Sequence, residues 1–72
     1  MLPIDRQIAL IEAQILEWQE VTFNAEIAHR VHTRLKSPPE VLQSFVARMT
    51  QAEQAIAVLH DLLDEVRSNV QP

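Results

Sequence analysis

The sequence predicts an all-α fold, an antiparallel two-helix hairpin that completes a bundle with a partner chain. Three observations carry that expectation. The chain contains no glycine, although average usage of about 7% would place roughly five in a chain of this length. Its prolines stand only at positions 3, 38, 39 and 72, so two long uninterrupted segments rich in Ala, Leu, Ile, Glu, Gln and Arg lie between them, and both favour helix. Apolar residues in the second segment recur at alternating spacings of three and four, which is the period of a coiled-coil seam. A single domain over 1–72 follows, with a helix over about 3–36, a turn over 36–39 and a helix over about 39–70.

The first helix carries Ile4, Ile8, Ile11, Ile15 and Trp18 along one line, which continues as Thr22, Ala25, His29 and His32. A second stripe of Ala9, Leu16, Phe23 and Ile27, with Val31 beside it, lies roughly 140° around the helix at about 100° per residue. Helix one is therefore apolar on two sides. At the bend, Ser37-Pro38-Pro39-Glu40 reads as a helix boundary. Ser37 is placed to N-cap, proline suits a first turn, and Glu40 follows at capping-box distance. Because the residue before a proline avoids the helical region, Pro38 is expected outside and Pro39 as the first helical residue. The short connection makes the helices antiparallel neighbours.

Helix two presents Leu42, Phe45, Met49, Ala52, Ile56, Leu59, Leu63, Val66 and Val70 without a break in the pattern. Pairing positions whose numbers sum to about 75 sets Ile8, Ile11, Ile15 and Trp18 against Ile56, Leu59, Leu63 and Val66 as the hairpin seam. Trp18 reads as a core filler against Ile56 and Leu59. Leu16, Phe23, Ile27 and Val31 are left facing outward as a partner-binding face. Below about 70 to 80 residues a lone core rarely suffices, and ordering costs of about 1.5 kcal/mol per residue leave a bare hairpin near zero. With no cysteine to staple it, association with another chain becomes the expected source of stability, in the simplest case as a homodimer.

Composition excludes much chemistry. Without glycine the chain has no phosphate-cradling loop, no dinucleotide fingerprint, no type I′ hairpin and no glycine-based left-handed helix C-cap. Without cysteine it has no thiolate ligand or thiol nucleophile. The net charge of −4 and the dispersed basic residues argue against nucleic acid or an anionic membrane surface as partner. No apolar stretch has the length of a span or of a signal-peptide core, which makes the cytoplasm the expected location.

The candidate chemical groups resolve blandly. Glu26 and His29 have the Glu-x-x-His spacing of di-iron bundles, but the facing positions are Met49 and Ala52 rather than carboxylates, so no metal site and no other cofactor is expected. His29, Arg30, His32, Arg34 and Lys36 suit the negative end of the first helix dipole. His60 and Asp64 are spaced for an i, i+4 hydrogen bond, and Asp61, Asp64 and Glu65 form a solvated face. The serines have no sign of a positioned base, so no catalytic residue and no enzymatic function is expected.

The segment Gln51-Ala52-Glu53-Gln54-Ala55-Ile56-Ala57-Val58-Leu59-His60 resembles the second helix of the small type III secretion co-chaperones of the YscE and PscE kind. In that family a similar Ala-x-x-x-Ile-x-Ile/Leu run follows a helix–turn–helix break, and Ala52, Ile56 and Leu59 hold the equivalent apolar positions here. The resemblance implies a cytoplasmic helical hairpin that pairs with a larger helical-repeat, TPR-like chaperone. Together the pair would hold the needle subunit soluble and unpolymerised until export. The chain departs from the family at its bend, where Ser37-Pro38-Pro39 stands in place of a glycine-containing turn. The residues alone fit equally a homodimeric four-helix-bundle regulator, or a phage-type inhibitor acting by protein binding.

Overall fold

A computed structural model of the chain describes residues 1–69. Two helices, α1 (Ile4–Arg34) and α2 (Pro39–Ser68), pack against each other along their length, and the described residues contain no strand. The result is a rod of 56 × 15 × 14 Å with a radius of gyration of 16.5 Å, where a globule of this length would have about 11 Å. Val70, the last residue expected on the α2 seam, and the expected helix end at 70 lie outside the described residues.

The seam forms as its spacing dictates. Ile15, Leu59 and Leu63 make the buried cluster, and Ile8, Ile11, Trp18 and Ile56 pack against it half-buried. Toward the bend the same line of α1 continues through Thr22, Ala25, His29 and His32, all buried or half-buried. Here the seam residues are small: Ala25 is 1% exposed and Ala52 is 0% exposed. Thr22 spends its hydroxyl on the carbonyl of Trp18, one turn back, at 3.1 Å, which satisfies a part-buried polar group within its own helix.

The bend departs from the sequence expectation in three ways. First, α1 stops at Arg34, short of residue 36, because Leu35 closes the helix and Lys36 turns left-handed with φ 58°. The amide of Ser37 donates to the carbonyl of His32 at 3.0 Å and that of Lys36 to Thr33 at 3.1 Å, the two bonds of a Schellman cap. The absence of glycine thus did not remove the left-handed cap; a lysine takes the position at a steric cost of about 1 kcal/mol. Second, Ser37 does not N-cap α2, because its side chain is held by His32: Nδ1 of His32 and Oγ of Ser37 share a hydrogen bond of 2.8 Å. Third, no capping box forms at Glu40. The N-cap of α2 is Pro38, in an extended conformation with no side-chain cap bond, and Pro39 is the first helical residue. The Pro38 carbonyl accepts from Val41 at 3.0 Å and Leu42 at 3.4 Å, so backbone geometry alone starts the helix.

Across the top of the bend the His32 ring lies over Phe45, with centroids 5.2 Å apart and planes tilted by 31°. His32 therefore binds both the connection and α2, which closes the bend end of the seam with one side chain.

Candidate protein interaction surface

Leu16, Phe23, Ile27 and Val31 are 57%, 59%, 43% and 48% exposed, on the side of α1 turned away from the buried seam. Ala9, at the far end of this stripe, is exposed as well. They are outward because their partners in periodicity are not: Ile8, Ile11, Ile15 and Trp18 take the face that α2 covers, and an α-helix has one facing side for one neighbour. The stripe is shallowly contoured. One depression is lined by Gln19, Glu20, Phe23 and Asn24, and the next along the helix by Ile27, Arg30, Val31 and Arg34.

The chain holds further exposed apolar side chains that the sequence reading passed over, among them Leu10, Leu35, Val46, Val58 and Leu62. Val58 and Leu62, one turn apart, give α2 a smaller outward apolar pair. Their i, i+4 spacing was available as a signal, but the unbroken seam on the same helix masks it. Val66, at the distal end of the seam, lines a shallow groove with Met1, Ile4, Gln7 and Asn69.

The remaining candidate groups lie on the surface or at the edge of the seam. The carboxylate of Glu26 accepts from Arg30 Nη2 at 2.7 Å on the helix surface, which occupies the Glu-x-x-His pair's carboxylate. Among the described residues no group of three His, Asp or Glu side chains comes together as a metal site, and no polar or charged residue is buried. The expected His60–Asp64 hydrogen bond does not form: both side chains are exposed, where water competes for the same groups at no entropic cost. Asp61 and Glu65 are likewise exposed. Among the described residues no helix is long and apolar enough to cross a membrane. What stands out is an apolar stripe on a rod. Comparison of the chain with protein-family models, with curated proteins and with solved structures finds no match.

Proposed function

We infer that the protein is a non-enzymatic adaptor that works by burying the outer stripe of α1 against a helical partner. The observation that carries this reading is the exposure of Leu16, Phe23, Ile27 and Val31 on one continuous face. Each such side chain contributes about 1.5 to 3 kcal/mol when fully buried, so the face has the means to bind a protein. The more specific form of the proposal is a cytoplasmic co-chaperone of a type III secretion system. In that form the stripe docks on a helical-repeat, TPR-like chaperone, and the pair keeps the needle subunit soluble and unpolymerised. Its support is the resemblance of segment 51–60 to the co-chaperones of the YscE and PscE kind. In that segment Ala52 and Leu59 are buried and Ile56 is half-buried, so the shared residues build the hairpin and leave α1 free to dock.

The test is a chain carrying Phe23→Glu together with Ile27→Glu, assayed beside the parent chain for complex formation with the helical-repeat chaperone and needle subunit of a type III secretion system. Loss of two buried apolar side chains predicts binding weakened by about a hundredfold or more, with helicity by circular dichroism unchanged. Collapse of the helical signal instead would mean that the stripe belongs to the fold and the adaptor reading fails.

A further inference from the structure

Leu16, Glu20, Phe23, Ile27, Arg30 and Arg34 follow one another at spacings of four and three along α1, a coiled-coil ladder on the outward face. Its chemistry is ordered. Acidic Glu20 precedes the apolar pair Phe23 and Ile27, and basic Arg30 and Arg34 follow it. A ladder with opposite charges on either side of an apolar centre is complementary to itself when reversed.

We propose that a second copy of this chain covers the stripe, with the two α1 helices antiparallel and the twofold axis at the level of Ala25. In that register Phe23 faces Ile27 of the second copy and Ile27 faces its Phe23, so four apolar side chains form the centre. Glu20 faces Arg30 of the second copy on each side, and Leu16 lies under the aliphatic stem of its Arg34. The two depressions on the stripe meet, since the one at Glu20 and Phe23 is brought opposite the one at Ile27 and Arg30. A parallel pairing would set Glu20 against Glu20 and Arg30 against Arg30, and like-charge juxtaposition at an interface is strongly unfavourable. Orientation is therefore encoded in the charges and affinity in the apolar pair.

The rod also has surface enough for such a pairing. The rod exposes 5622 Å², whereas a compact protein of 8.3 kDa would expose about 4600 Å². The excess, about 1000 Å², is comparable to the roughly 800 Å² per partner that a standard interface removes. Arg30 is bonded to Glu26 at 2.7 Å within its own helix, and that exposed ion pair gives it up at little cost. The dimer goes beyond the adaptor reading and does not depend on it: it is the state in which the stripe is shielded when no other partner is bound.

Sedimentation velocity on the full chain, from micromolar to submillimolar concentration, reads the proposal directly. The chain is expected to dimerise. Glu20→Arg alone and Arg30→Glu alone are each expected to weaken the dimer by about tenfold or more, because each places like charges opposite one another twice. Both substitutions in one chain restore the pairs in reverse and are expected to recover the dimer. A monomer at every concentration, a dimer indifferent to the single reversals, or a doubly reversed chain that stays monomeric would each overturn it. Circular dichroism of the three variants confirms that helicity is kept. The doubly reversed chain retains Phe23 and Ile27, so a chain that binds a helical-repeat chaperone yet never self-associates rejects this dimer and leaves the adaptor reading intact.

Discussion

The two ends of the rod hold together by different means. At the end bearing the termini, Ile15, Leu59 and Leu63 are buried, with Ile8, Ile11, Trp18 and Ile56 packed around them; branched and aromatic side chains interdigitate there, and apolar burial supplies the stability. At the bend end the seam runs through Thr22, Ala25, His29 and His32, with no branched apolar side chain of α1 in it, and the near-complete burial of Ala25 and Ala52 lets the backbones approach. What closes that end is mostly polar and local, the Schellman bonds of Lys36 and Ser37 and the His32–Ser37 hydrogen bond, joined by the one ring contact of His32 with Phe45 on α2. Of the larger apolar side chains in the bend half of α1, Val21 is half-buried, whereas Phe23, Ile27 and Val31 point away from the seam. That region has given up internal packing for an external face, so the part of the molecule least able to stabilise itself is the part that carries the exposed apolar stripe.

The sharpest way to break this comparison is to make the same truncation at each end. Leu59→Ala, in the buried cluster, is expected to cost about 3 kcal/mol, since it leaves a cavity among residues that cannot collapse into it. Leu42→Ala, on the half-buried bend end of α2, is expected to cost roughly 1 kcal/mol, as less area is returned to water. Urea unfolding at one fixed protein concentration measures both, the fixed concentration being necessary because association adds to apparent stability. Equal costs would show that the two ends are packed alike.

The same contrast explains what could be read from the chain alone. The hairpin and its seam were legible because three-four spacing is a repeated signal: Ile8, Ile11, Ile15 and Trp18 match Val66, Leu63, Leu59 and Ile56 in four successive pairs. The outward stripe was legible for the same reason. The bend was not, because its geometry depends on single residues in unusual roles. Left-handed backbone is normally read from glycine, and nothing in the sequence distinguishes Lys36 from any other surface lysine. Ser37 looked like the cap of the following helix, since serine before proline and glutamate is a capping pattern, but a histidine five residues earlier already holds its hydroxyl. Val58 and Leu62 went unseen because a stronger pattern on α2 drew the reading to its other side.

Lys36→Gly sharpens the comparison from the bend side. Glycine enters the left-handed region without the clash a Cβ makes, and the Schellman bonds use only backbone atoms. The relieved clash of about 1 kcal/mol is partly offset by the extra freedom glycine gives the unfolded chain, so the substitution is expected to stabilise the chain by about 0.5 kcal/mol, raising Tm by roughly 2–4 °C for a domain of this size. A Tm that falls would mean that the lysine side chain contributes to the bend.

The smallest effect is expected at the other end, where Arg67 Nη2 stands 3.9 Å from Glu12 Oε2 between the helices, both side chains more than half exposed. A cross-helix ion pair beside the hydrophobic cluster invites the inference that it locks the termini together. Its geometry argues otherwise. At that separation the pair lies at the limit of ion-pair contact, water screens it, and two long side chains must be ordered to make it, so Glu12→Gln is expected to change stability by less than about 0.5 kcal/mol. Salt titration of Tm discriminates here: if apolar packing alone holds the distal half, the difference between the parent chain and Glu12→Gln stays small and does not depend on ionic strength. A difference above 1 kcal/mol that disappears at high salt would mean that the distal half, like the bend, rests on a specific polar contact, and the division of the rod into an apolar end and a polar end would have to be abandoned.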